Sequence, residues 1–171
     1  TLDNHISMHF TTDDNGGYYV TYLKAHSNAY QDGLLTIKHV LSNNQSDWNN
    51  TSRTISPENN SKFGKLFVDS SENITLFYTK YDIIEVTRFR LVNDPVVSTA
   101  IDTISYNPYY QHSLSNYFDV LKINENQYIV SSGKNAIISS VKSYDNNFNL
   151  MWRKDYSITT KSQSKLYQLD Q

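Results

Sequence analysis

The sequence predicts an all-β fold built from about three four-stranded antiparallel units, and three observations predict it. Only 19% of the 171 residues are charged, against 38% hydrophobic. The polar remainder is dominated by Asn, Ser and Thr, which favour turns, rather than by the straight-chain charged residues on which surface helices rely. Fourteen Tyr and seven Phe add side chains that fit a pleated surface. Finally, apolar segments of strand length recur along the chain, while no stretch of about ten residues carries a helical apolar stripe. More than about 40% strand and almost no helix are expected, above the usual 20–25% strand.

The recurrence is the strongest of these signals. Strand, polar turn and strand follow one another three times. Ile6–Phe10 and Tyr18–Leu23 flank the turn Thr11–Gly17; Lys65–Val68 and Ile74–Tyr78 flank Asp69–Asn73; Phe118–Leu121 and Gln127–Val130 flank Lys122–Asn126. Aligned on these turns, the period is roughly 53 to 58 residues, at the long end for β-repeat units. A third apolar strand follows each pair, at Leu34–Val40, Ile83–Leu91 and Ala136–Tyr144. Polar turns come next (Ser42–Asp47, Asn93–Pro95, Asp145–Asn149), then a fourth strand at Thr51–Ile55, Val96–Ile104 and Leu150–Ile158. Segments rich in Ser, Asn and Pro, at Ser56–Lys62, Ser105–Asn116 and Thr159–Ser164, read as linkers. The chain is thus one β-repeat domain over 1–171, with units at 5–56, 64–105 and 117–158 and the start of a fourth at 165–171. Four short antiparallel strands, repeated, is the pattern of β-propeller blades; a β-sandwich or barrel made from the same strands is the alternative. Middle strands such as Tyr18–Leu23 are apolar on both faces, as suits a sheet covered on both sides.

Composition also limits function. A net charge of −2 without any Lys/Arg run argues against a nucleic-acid-binding face. No apolar stretch approaches the roughly 18 residues of a membrane-spanning helix. Without Cys, disulfides, zinc–thiolate sites and thiol nucleophiles are excluded. The chain begins at Thr1 with no basic-then-apolar leader, as expected of a processed product or an excised piece. Asn44, Asn49, Asn50, Asn59 and Asn73 open Asn-x-Ser/Thr sequons, a match that an Asn- and Ser-rich chain produces by chance.

The segment Asp145-Asn146-Asn147-Phe148-Asn149-Leu150-Met151-Trp152 resembles the Asp-x-x-x-Asn-x-x-Trp hairpin of bacterial β-propeller repeat proteins of the quinoprotein-like and related kinds. The resemblance implies structural roles for Asp145, Asn149 and Trp152, with the Trp packed between blades. It implies no cofactor, because nothing matches a quinone site. Phe148 stands where such hairpins usually place Gly, the first unit offers only Asn43–Trp48 at another spacing, and the second has no Trp.

Candidate chemistry is sparse. Asp13-Asp14-Asn15-Gly16 resembles the opening of a calcium loop, but the further oxygen ligands and closing Glu are missing, so a hairpin turn accounts for it. His5 and His9 share one face of a strand, while His26, His39 and His112 are scattered, and no metal-ligand spacing emerges. Ser143-Tyr144-Asp145 with Trp152 has the residue types of a sialidase Asp box, itself a structural turn, but at the wrong spacing. Val92-Asn93-Asp94-Pro95 is similar to the Asp-Pro pair of some propeller glycosidases, yet a turn between third and fourth strands explains it. Glycoside hydrolysis needs a second carboxylate about 5–10 Å away; Glu85 and Asp119 have the right chemistry, and no spacing selects them. Tyr106, Tyr109, Tyr110 and His112, around Asn107 and Pro108, form an aromatic loop cluster able to stack on sugars or anchor a partner chain.

The sequence therefore points to a non-enzymatic, extracellular or cell-surface propeller-type module that binds protein or glycan. It has no catalytic residue, no cofactor and no metal to assign. A propeller glycoside hydrolase whose other carboxylates lie outside this chain is the alternative. Three units are fewer than the four to eight that close a propeller, so further blades or another protein chain are expected partners, and the 171-residue chain alone is not expected to be a well-behaved monomer.

Overall fold

The computed structural model describes residues 5–25, 33–48, 52–80, 83–90, 97–103, 116–134 and 138–157. Among them are eleven strands and no helix. The strands are β1 (His5–Thr12), β2 (Tyr18–Ala25), β3 (Gly33–Val40), β4 (Arg53–Val68), β5 (Ile74–Lys80), β6 (Ile83–Phe89), β7 (Ser98–Thr103), β8 (Asn116–Asn124), β9 (Gln127–Lys134), β10 (Ile138–Asp145) and β11 (Leu150–Ser157). They form a seven-stranded sheet in the order β1 to β7 and a four-stranded sheet in the order β11-β10-β9-β8. Neither sheet closes on itself among the described residues. The chain divides into two compact units, 1–100 and 101–171.

The seven-stranded sheet is two four-stranded meanders that share β4. Its first residues pair with β3 (Arg53 with Ile37, Ser56 with Leu35), and its last pair with β5 (Leu66 with Leu76, Val68 with Ile74). Ser61 pairs with both Gly33 and Lys80. The expected linker Ser56–Lys62 is therefore strand, a correction to the sequence reading. Pro57, Asn59 and Asn60 are turn formers by composition, and the strand runs through them with its register slipping between Ser56 and Ser61. With the four-stranded sheet, the protein has three four-stranded antiparallel units of blade type, as the repeat predicts.

Burial follows the strand period. In the 1–100 unit a core cluster joins Tyr19, Leu23, Leu35, Ile37 and Ile55 of the first meander to Leu66, Ile74, Leu76, Tyr78 and Phe89 of the second. Each such side chain contributes about 1.5–3 kcal/mol through burial, and truncating one, as in Leu76→Ala, would cost about 2–5 kcal/mol. The alternate residues of β5 and β6, Phe77, Ile84 and Val86, are buried as well, so these strands are covered on both faces. In the 101–171 unit Val120, Tyr128, Val130 and Tyr144 are buried at neighbouring register positions of β8, β9 and β10.

Trp152 differs from its expected place between blades. It stands on β11 with 43% of its surface open, beside Leu150, Met151 and Tyr156, all exposed. Among the described residues β11 pairs only with β10.

Candidate functional site

Four turns of five residues close with the same backbone hydrogen bond, and the candidate site grows out of the first, in which Asp14 is also left-handed at φ 61°. In Asp13–Gly17, Leu41–Gln45, Asp69–Asn73 and Asp145–Asn149 the first residue's N–H donates to the fifth residue's carbonyl, at 3.2, 2.8, 3.1 and 3.0 Å. The fourth residue is left-handed each time: Gly16 at φ 83°, Asn44 at 64°, Glu72 at 61° and Phe148 at 63°. Three of the turns open with Asp, whose short carboxylate folds back on its own backbone. Asp69 Oδ1 accepts from Ser71 N and Asn73 N, both at 2.9 Å. Asp145 Oδ1 accepts from Asn147 N and Asn149 N, both at 2.8 Å. Asp13 Oδ1 accepts from Asn15 N at 2.9 Å and Gly17 N at 2.7 Å.

The second carboxylate oxygen separates the turns. In the turns at Asp69 and Asp145 it accepts from the Asn at position five: Asn73 Nδ2 to Asp69 at 2.9 Å and Asn149 Nδ2 to Asp145 at 2.9 Å. Position five of the first turn is Gly17, where a Cβ would meet Asp13 Oδ2 at 2.4 Å and the Val40 carbonyl at 2.5 Å. Asp13 Oδ2 instead faces His39 Nε2 on β3, 2.9 Å away, while His39 Nδ1 faces Asp47 Oδ2 at 2.8 Å.

His39 is buried and pairs across the ladder with Tyr19. Their rings stack at 4.0 Å and 7°, and Trp48 tilts over both, at 6.0 Å from His39 and 6.2 Å from Tyr19. Each ring nitrogen of His39 thus faces a carboxylate oxygen, so the ring is held from both sides. Burial alone would raise the Asp13 carboxyl, but the His39 bond and the two backbone N–H donors outweigh it and hold the group below its ordinary value of 3.8. Tyr19 is pushed up to about 12, mainly by burial, with help from the carboxylates of Glu72, Asp13 and Asp47. Asp47 is the half-exposed member, with 42% of its side chain open. Chemically this is a clamp that ties the β1–β2 turn to β3 and to the segment after it.

The 101–171 unit holds a second polar cluster. Lys142 forms an ion pair with Asp102, both side chains nearly inaccessible. Ser132 Oγ donates to Asp102 Oδ2 at 3.3 Å and lies 3.0 Å from Ser140 Oγ. Tyr144 OH donates to the Ile101 carbonyl at 3.1 Å, and burial, then the Asp102 charge, raises its pKa. Ser131 Oγ is buried without a hydrogen-bond partner among the described residues.

Asp145 and Asn149 meet in their turn, and the Asn149 side chain leads the contacts that lower the Asp145 pKa. Tyr106, Tyr109, Tyr110 and His112 lie outside the described residues, as do Val92–Pro95 and the expected fourth-unit strand at 165–169. Glu85 on β6 accepts from Tyr78 OH at 2.6 Å, and Asp119 Oδ1 accepts from Val120 N at 2.9 Å. His9 Nδ1 accepts from Leu66 N at 3.3 Å. No group of three metal-ligating side chains occurs among the described residues. Sequence reasoning missed the clamp around His39. Its signal was Gly17 at a turn position where the other Asp-led turns carry Asn, leaving an Asp oxygen for a distant partner.

No protein-family pattern matches the sequence, and neither does any curated protein. Among solved structures the chain is similar to prolyl oligopeptidase B from Galerina marginata, with a TM-score of 0.49 and 12% identity over 86% of this chain. The chain spans 19% of that protein's length.

Proposed function

We propose that this chain is a non-enzymatic module of β-propeller type that works outside the cell or at its surface and binds another protein or a glycan. The observation that carries this reading is the stripe of large side chains open to solvent on β11. Trp152 and Tyr156 are 43% and 40% exposed at alternate strand positions that share a face, with the Lys154 ammonium 5.2 Å above the Tyr156 ring. Aromatic faces flanked by a cation are suited to stack on sugar rings and to anchor partner chains. The employment of the acidic groups supports the non-enzymatic part: Asp13 and Asp47 hold His39, Asp69 and Asp145 close turns, and Asp102 is paired with Lys142.

A glycan array run beside a panel of glycosidase substrates tests the proposal. Saturable binding without turnover is expected, and Trp152→Ala should abolish it while costing the fold under about 1 kcal/mol, as for exposed positions. Turnover of any substrate would instead favour a propeller hydrolase with carboxylates contributed from outside this chain.

A further inference from the structure

The outer edge of β11 has a self-complementary order of side chains, Leu150-Met151-Trp152-Arg153-Lys154-Asp155-Tyr156-Ser157. Trp152, Lys154 and Tyr156 alternate to one face, and Arg153 and Asp155 to the other. All five are exposed, and among the described residues β11 pairs with β10 alone. An open strand edge is a template for another strand, and the question is which strand fits.

The geometry points to a second copy of the same strand: two chains join their β11 edges antiparallel about a two-fold axis at Lys154. In an antiparallel ladder, opposite residues turn their backbone groups the same way. A two-fold pairing must then be centred on a residue, so that odd faces odd and even faces even, which excludes Arg153 opposite Lys154. Centring on Arg153 or Asp155 sets like charges against each other at the axis and leaves the opposite charges unmatched. Centring on Lys154 places Arg153 opposite the second copy's Asp155 twice, and Trp152 opposite its Tyr156 twice. Opposite charges and aromatic pairs directly across a ladder are its favourable combinations.

Arg153 Nε already holds both oxygens of Asp155 within one strand, at 2.8 and 2.9 Å, so the two charges stand ready on one face. The two Lys154 ammonium groups meet at the axis, which weakens the pairing, and each is drawn toward its own Tyr156 ring. The result is a reversible, concentration-dependent dimer with an eight-stranded sheet across the axis. It shares Trp152, Lys154 and Tyr156 with the proposed binding face, and its test reads association of the chain rather than ligand binding.

Sedimentation velocity from about 1 to about 200 µM, the range in which weak interfaces assemble, tests this. A shift from one chain to two is expected. Arg153→Asp should weaken association at least about tenfold, and Arg153→Asp with Asp155→Arg should restore it to within about threefold, because the swap re-creates both opposite-charge pairs. The chain has no Cys, so Lys154→Cys introduces a single thiol facing its own copy at about 4.5–5.5 Å between Cα atoms, within disulfide reach. It should cross-link under mild oxidation much faster than Asn147→Cys in the exposed turn. A single chain throughout the range, association untouched by Arg153→Asp, or equal cross-linking of the two Cys variants would each overturn the inference.

Discussion

The turns Asp13–Gly17 and Asp145–Asn149 close with the same bond from first N–H to fifth carbonyl, and they differ in where their side-chain contacts go. The later turn is self-contained: both Asp145 oxygens are answered within five residues, by two backbone N–H groups and the Asn149 amide. The first turn keeps the backbone half of that arrangement and exports the rest. Gly17 supplies no amide, and the free oxygen reaches His39, 26 positions along the chain. The residue type at position five thus separates a hairpin that closes on itself from one that is fastened to the sheet beside it. A local turn can form early and alone, whereas the exported bond exists only once β3 is in place.

Gly17→Ala should break the first turn most severely. Its Cβ would strike a carboxylate and a backbone carbonyl that cannot both retreat, for a loss of about 2–3 kcal/mol in denaturant unfolding, in the range of overpacked sites. Asn149→Ala at the matching position should move Tm by no more than about 2–4 °C. If the two losses are equal, the distinction between exported and local closure is wrong.

His39→Leu should follow, at about 1–3 kcal/mol, because it leaves the buried Asp13 oxygen and Asp47 without their donor. The loss should fade in acid. Asp13 has a folded pKa below its ordinary 3.8, so its contribution is complete above that value and disappears as pH falls through the lower folded value. The variant should therefore approach wild type in stability as pH falls through that lower value, measured by urea titration across pH. A pH-independent difference would mean that His39 acts by packing alone.

At the alkaline end the sign reverses. Tyr19 titrates near 12 in the fold against 10 ordinarily, so folding favours its proton. Stability should decline as pH rises from about 10 to about 12, and Tyr19→Phe should flatten that decline. An unchanged slope in the variant would remove Tyr19 from the clamp's electrostatics.

The smallest expected effect sharpens the likeness between the turns. Glu72 is exposed and left-handed at 61°, where Gly has no steric penalty, so Glu72→Gly should stabilise by about 0.5–1 kcal/mol. Phe148→Gly should gain less, because it gives up a ring 5.9 Å from Tyr128. Thermal unfolding of both variants would show whether strain at the fourth turn position is real.

Much of the fold was legible because strands announce themselves by period. Ile83–Leu91 and Leu150–Ile158 were found within two residues of β6 and β11, and the turns at Asp69 and Asp145 were placed correctly from their Asp and Asn alone. The continuous β4 was not legible, since Pro57 and two Asn look like a loop unless the neighbouring ladder is known. Trp152 misled for a related reason: a large ring predicts burial, but among the described residues its strand has β10 as its one neighbour. His39 was hidden because its two carboxylates come from different turns, and no local spacing joins positions 13, 39 and 47.

Because β4 serves both meanders, the first two repeats are tied by one strand, yet that strand carries its own slack. From Ser56 to Ser61 five positions of β4 pass opposite two of β3, Leu35 to Gly33, and a second slip follows between Lys62 and Gly64. A residue added within the regular ladder at Lys65–Val68 would invert which face the following side chains present. One added between Ser56 and Ser61 falls where the phase is already broken. Changes of length at this junction should therefore be tolerated inside the slip and resisted on either side of it.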